Sequence, residues 1–215
     1  MFTGIIEEIG EVQQVVPTGG GVRLIINASA SAKELKVNDS IAVNGTCQTV
    51  VRKQGDTFEV EAVEETLKKT TFGAFKEKDK VNLELPMKLN ERLGGHLVLG
   101  HIDTVGIITA IGQRENSTMV SIDVPAQFSK YLIHVGSICI DGVSLTIAGL
   151  QDHNVTVSII PHTMEHTIFK LYKIGTNVNV EFDVVGKYIE RMVSSQNIFA
   201  GKSSLTEEEL NEQGY

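Results

Sequence analysis

Cys47, His96, His101 and Ser144 are the side chains whose types and spacing could do chemistry. His96 and His101 lie five residues apart in Gly95-His-Leu-Val-Leu-Gly-His101. That interval fits neither a helical metal pair nor an HExxH motif, so no metal is expected. A metal-free imidazole exchanges protons near neutral pH. His101 is therefore read as a ligand contact or proton-transfer group, and His96 suits either that role or a hydrogen bond in the core. Cys47 and Ser144 each follow a turn dipeptide, Asn44-Gly45 and Asp141-Gly142. A cysteine in a generic β protein is usually an inert buried thiol. A serine so close to a turn can cap the backbone, but Thr146 beside it favours a polar ligand edge.

These residues sit in a chain that repeats itself. At an offset of 97, Ser40-Ile-Ala-Val-Asn-Gly-Thr-Cys-Gln-Thr-Val50 falls on Ser137-Ile-Cys-Ile-Asp-Gly-Val-Ser-Leu-Thr-Ile147, with four identities. The same offset lays Phe75–Leu85 on Tyr172–Phe182, again with four identities. Unrelated residues match roughly one time in sixteen, so each block should give fewer than one. An offset of 96 places Phe2-Thr3-Gly4 on Val98-Leu99-Gly100, which puts a one-residue change in an early loop. So long a period marks two homologous domains rather than a solenoid. Equivalent positions differ where chemistry could differ: Cys47 and Ser144, Ile5 and His101, Glu65 and His162, Pro86 and Asp183.

The elements that must position them read as β. Gly21–Ile26, Thr57–Ala62, Lys80–Leu85, Met119–Val124 and Asn154–Ile159 alternate apolar with polar residues. About six short strands per half predicts an all-β fold of two small antiparallel barrels, closed so that no sheet edge is exposed. Helical turns are expected near Ala32–Leu35 and Phe128–Leu132, and Pro86–Gly95 reads as a linker. Ile189, Met192, Val193 and Phe199 form a helical stripe over about Lys187–Phe199 with no counterpart in the first repeat. Thr206-Glu-Glu-Glu209 reads as the capping box of a second short helix. The domains are then 1–97, 98–186 and a helical tail, 187–215.

The formal net charge is −8, which argues against a nucleic-acid partner. No apolar run is long enough to span a membrane, and the N-terminus lacks the pattern of a signal peptide. Two cysteines make no disulfide framework, so a reducing, cytoplasmic setting is expected.

Met1-Phe-Thr-Gly-Ile-Ile6, Val43-Asn-Gly-Thr-Cys47, Glu65-Thr-Leu67, Gly94–Asp103, Asp141-Gly-Val-Ser-Leu-Thr146 and Pro161-His-Thr163 closely resemble riboflavin synthase, the lumazine-binding repeat family. The motifs occur in the family's order and cover both halves. The resemblance implies two six-stranded Greek-key barrels and a C-terminal helix that makes a homotrimer. It implies no cofactor, and it admits association with lumazine synthase. It implies an enzyme, a transferase that ends riboflavin biosynthesis. Two 6,7-dimethyl-8-ribityllumazine molecules exchange a four-carbon unit, giving riboflavin and 5-amino-6-ribitylaminouracil. The implied ligand contacts in the first barrel are Gly4, Ile5, Ile6, Cys47, Gln48, Thr49, Glu61, Ala62, Val63, Glu64, Glu65 and Thr66. Those in the second are Gly100, His101, Ile102, Ser144, Leu145, Thr146, Ile159, Ile160, Pro161, His162, Thr163 and Met164. Phe2, Cys47, His101, Ser144 and Asp183 are the implied catalytic residues, with Phe2 closing the first site. The chain departs from the family at Gln48, often leucine, and at His162, Glu in some members. It also departs at Val135, often a lysine that reaches a ligand across subunits. The rival within the fold is a non-catalytic lumazine or flavin antenna protein. A flavin oxidoreductase barrel is more distant, because no dinucleotide-binding domain follows.

Overall fold

The computed structural model describes residues 1–200, with side chains through residue 195. In the first half, β1 (Glu8–Thr18), β2 (Gly21–Asn27), β3 (Ser40–Val43), β4 (Thr46–Gln54), β5 (Thr57–Val63) and β6 (Lys80–Glu84) close into a barrel in the order β1-β2-β5-β4-β3-β6. The second half repeats it with β7 (Thr104–Gln113), β8 (Thr118–Asp123), β9 (Ser137–Ile140), β10 (Val143–Gln151), β11 (Asn154–Ile159) and β12 (Asn177–Phe182). All pairings are antiparallel. The register shifts at matching places, Val12/Gln14 with Ile108/Ala110 and Val50/Arg52 with Ile147/Gly149. Such bulges bend a strand enough for six strands to close.

Alternation accounts for each core. Leu24, Ile26, Phe58, Val60 and Leu83 point inward in the first barrel, and Ile122, Ile138, Val155, Val157 and Phe182 in the second. The one-residue difference between the repeats falls between β2 and β3. There the first half has α1 (Ser31–Glu34), and the second has a 3-10 helix, Ala126–Tyr131. Two further helices follow equivalent strands, α2 (Glu64–Lys69) after β5 and α3 (Pro161–His166) after β11. Strand-like alternation stops at both places, and the long hydrophilic side chains of α2 pair along its surface as Lys68–Glu64 and Lys69–Glu65.

The C-terminal helix α4 (Val184–Ala200) begins three residues earlier than the apolar stripe suggests. The Asp183 carboxylate accepts from Val185 N–H at 2.9 Å and so caps it. Ile189, Met192 and Val193 lie exposed on α4. The side chain of Phe199 and the stretch Thr206–Glu209 lie outside the described residues. No helix among the described residues is long and apolar enough to cross a membrane.

Candidate active site

The two barrels meet along an approximate twofold relation. Asn82 and Asn179, both fully buried, exchange equivalent bonds across it. The Asn82 side chain accepts from Ile168 N–H and donates to the Asp141 carbonyl, each at 2.9 Å. Asn179 accepts from Thr71 N–H at 2.8 Å and donates to the Asn44 carbonyl at 2.9 Å. A buried amide satisfied on both ends is a rigid joint, because breaking it leaves several polar groups dry and unpaired. It fixes the turns that carry Cys47 and Ser144.

The start of each repeat crosses to the other barrel. The N–H of Cys47 donates to the Gly100 carbonyl and the N–H of Ser144 to the Gly4 carbonyl, both at 2.8 Å. A Cβ on Gly100 would lie 2.5 Å from Cys47 Cβ, and one on Gly4 would lie 2.5 Å from Ser144 Cβ. With φ of +80° and +78°, both positions require glycine. This corrects the assignment of the contact segments. Gly100, His101 and Ile102 stand beside Cys47 of the first barrel, whereas Gly4, Ile5 and Ile6 stand against Ser144 of the second.

The groove so formed in the first barrel has a volume of about 250 Å³ and is lined by Cys47, Gln48, Glu65, Thr66, His101 and Ile102, among others. Cys47 is half-buried, and His101 is exposed at its rim. Three other cavities are larger: about 430 Å³ against the Pro86–Gly94 linker and about 480 Å³ beside Asp141 and Tyr172, neither lined by Cys47, His101 or Ser144, and about 360 Å³ between the Leu99–Asp103 arm and α4, which His101 also lines. Around Ser144 the arrangement differs. Its hydroxyl lies 2.6 Å from His96 Nδ1. Burial lowers the His96 pKa, opposed by the nearby Asp183 charge, so the ring is neutral at pH 7. Its Nε2 is buried without a partner. Cys47 has no such histidine, because the repeat match begins at Phe2 on Val98, after His96.

The other expected residues divide by where they point. Thr49, Thr146, Val63, Ile160, Pro161 and His162 are exposed, and Leu145, Thr163 and Met164 are half-buried. Ala62 and Ile159 point into the barrel cores and can offer only backbone groups. The Glu61 carboxylate pairs with Arg23 at 2.6 Å, and Glu64 and Glu65 pair with their helix lysines. His162 stacks on His166 with ring centroids 4.1 Å apart. Val135 is exposed at φ 63°. Gln48 folds back to donate to the Cys47 carbonyl at 2.8 Å. Phe2 differs from expectation. Its side chain is fully buried with Val98, Ala42 and Cys139 between the barrels, with Cys47 packed against the same cluster.

The sequence reading missed two polar pairs that hold this geometry. These are the bridging Asn82 and Asn179, and the buried Glu84 and Glu181. Asn82 and Glu84 are among the few identities between Phe75–Leu85 and Tyr172–Phe182. Identical polar residues inside strands that otherwise diverge were the available signal. No group of three or more His, Cys, Asp or Glu that could hold a metal occurs among the described residues.

A family model described as the lumazine binding domain matches residues 3–86 and again 99–183. The chain is similar over its full length to riboflavin synthases of Bacillus amyloliquefaciens (41% identical) and Actinobacillus pleuropneumoniae (42%), covering 100% of each. Its fold is similar to a crystal structure of LumP complexed with riboflavin, with a TM-score of 0.79 and 26% identity over 85% of this chain and 99% of that one. It is also similar to LumP complexed with 6,7-dimethyl-8-(1'-D-ribityl) lumazine, with a TM-score of 0.77 and 27% identity over 84% and 98%.

Proposed function

The chain belongs to the lumazine-binding family and, within it, to the riboflavin synthases, and from this we propose how its own residues carry out the dismutation of two 6,7-dimethyl-8-ribityllumazine molecules. One lumazine lies in the first-barrel groove against Cys47, Thr66 and the Gly100–Ile102 arm. The other lies in the second barrel against Ser144, Thr163 and the Gly4–Ile6 arm. The observation that carries the reading is the crossed pair of arms: it builds two equivalent slots with different chemical groups at matching positions.

The methyl at ring position 7 is acidic because its anion delocalises into the ring, so no strong base is needed. The neutral His96 draws on the Ser144 hydroxyl, and together they relay a proton at the second-barrel slot. Asp183 supports the charged form of His96 as it forms. Cys47 lines the first slot with a thiol, and His101 supplies an imidazole at its rim. Most of the rate comes from holding two rings face to face, an effect that can contribute roughly 7–11 kcal/mol. A groove of about 250 Å³ suits one ring system. The second ring must come from a facing slot, which favours a site shared between subunits. The exposed Ile189, Met192 and Val193 on α4 support a homotrimer held by these helices. The free thiols of Cys47 and Cys139 fit a reducing cytoplasm.

The antenna reading is weaker, because full-length identity to the synthases is 34 to 42%, against 25 to 27% for LumP. Dialysed, chelated protein should convert two lumazines to one riboflavin and one pyrimidine. Tight binding without turnover would move the assignment to the antenna class.

A further inference from the structure

We propose that Glu181 is a positioning residue that sets the Gly100–His101 arm over the Cys47 groove, and that Lys187 of α4 tunes its grip through Asp103. The inference rests on the functional reading above and deepens it.

The Glu181 carboxylate gathers three consecutive backbone donors: Leu99 N–H at 2.7 Å, Gly100 N–H at 2.9 Å and His101 N–H at 3.1 Å. Nothing else in the arm fixes its path so directly, and the carbonyl of that same Gly100 receives Cys47 N–H. The clamp is doubled in the opposite direction. Asp103, at the far end of the arm, accepts from Phe182 N–H at 2.9 Å, next to Glu181 on β12. Arm and strand end therefore hold each other through two carboxylates. The first repeat has the same device: Glu84 takes Thr3 and Gly4 N–H, and Glu7 takes Leu85 N–H at 3.0 Å.

The two clamps differ in one direct ion pair. Lys187 Nζ lies 2.6 Å from Asp103 Oδ2. No described lysine or arginine pairs with Glu7 or Glu84. The charged or titratable groups around Glu181 among the described residues include Lys187 from α4, Asp103 and His101 from the arm, and Cys139, its cross-strand neighbour on β9. Burial pushes the Glu181 carboxyl up to about 7, opposed by its backbone bonds and by Lys187. Only the carboxylate accepts from all three donors. Protonation turns one oxygen into a donor facing N–H groups, so the arm loosens as pH falls through that value.

The test follows Glu181→Gln, Glu84→Gln and Lys187→Met beside the wild-type chain. Gln keeps the shape but aims an amide N–H₂ at the arm's own donors. In Glu181→Gln, amide hydrogen exchange over Leu99–His101 should quicken by tenfold or more at pH 8, with the Thr3–Gly4 arm unchanged. Glu84→Gln should show the mirror pattern. Turnover of lumazine by the wild type should rise with pH through about 7. Glu181→Gln should lose this rise and at least tenfold in kcat, while lumazine titration shows one of two binding steps intact. Lys187→Met removes a cation beside the clamp and should shift the rise to higher pH. Unchanged exchange at Leu99–His101 in Glu181→Gln overturns the proposal. If that variant does not fold, an unshifted profile in Lys187→Met overturns it. Variants that show the exchange pattern, beside a wild-type chain that makes no riboflavin, would instead reject the functional reading and leave the clamp standing.

Discussion

Ser144 and Cys47 occupy equivalent positions but sit in different electrostatic settings. Ser144 shares a short contact with a buried, neutral His96 near Asp183, whereas Cys47 is held through its backbone groups, with the exposed His101 near it. Ser144→Ala should therefore lower kcat by about 100-fold, within the range of a well-placed acid–base group. Cys47→Ala should cost less, and both should melt near the wild-type temperature. Equal turnover losses would mean that the slots do not differ in role. Asp141 offers a second residue-scale test. It accepts from Tyr172 O–H and Asn179 N–H, yet burial raises its carboxyl from 3.8 to about 7. The folded state then binds a proton that the unfolded state has released, so Asp141 stability is lost as pH rises from about 4 to 7. The first repeat has Asn44 here, with Phe75 in place of Tyr172. Asp141→Asn should therefore remove part of the fall in stability between pH 5 and 8, measured by urea unfolding. A variant whose pH dependence parallels the wild type would contradict the raised carboxyl.

At the scale of elements, the loops between strands hold both the strain and the departures from the family. Val135 leads into β9 at φ 63°, a backbone region that a β-branched residue occupies at a cost. Its N–H still donates to the Ile147 carbonyl at 3.0 Å, so the turn holds the conformation against the side chain. The equivalent turn of the first repeat has Asn38 at φ 76°, and its N–H donates to Val50. Asparagine tolerates this region because its short polar side chain bonds locally. Val135→Asn should raise unfolding free energy by about 1 kcal/mol, the lower end of the cost of such strain. A loss of stability would show that the exposed valine makes contacts in the assembly. The strands were readable from their period of two. The short helices α2 and α3 were not, because six residues carry too little periodicity to outweigh the strand before them.

For the whole molecule, the proposed assembly rests on α4. Ile189, Met192 and Val193 find no cover among the described residues, and an amphipathic helix gains stability mainly by burying that face. Removing the helix would also remove Lys187 from the Asp103 clamp, so a surface change is the cleaner test. Ile189→Glu with Met192→Glu should leave both barrels folded and able to bind lumazine. The doubly changed protein should sediment mainly as a monomer at micromolar concentration and retain only a small part of its turnover. A monomer with full activity would place both lumazines within one chain.

What the sequence determined alone is the duplication, the two barrels and the family. Each is written in local terms: matched blocks at a fixed offset, a period of two, glycines at turns, motifs in order. Only the tertiary structure decided which arm packs on which barrel. The repeat offset relates Gly4 to Gly100 but says nothing of whether each stays with its own barrel, and the close packing of each glycine on the other barrel's Cβ settles it. The fate of Phe2 was decided the same way, since a fully buried ring between two barrels has no signature in its own neighbourhood of the chain. Asn82, Asn179, Glu84 and Glu181 look like ordinary polar positions in alternating strands. They become joints and clamps because closing two barrels against each other removes water from both faces of β6 and β12, and a buried polar group must then find its partners across the interface.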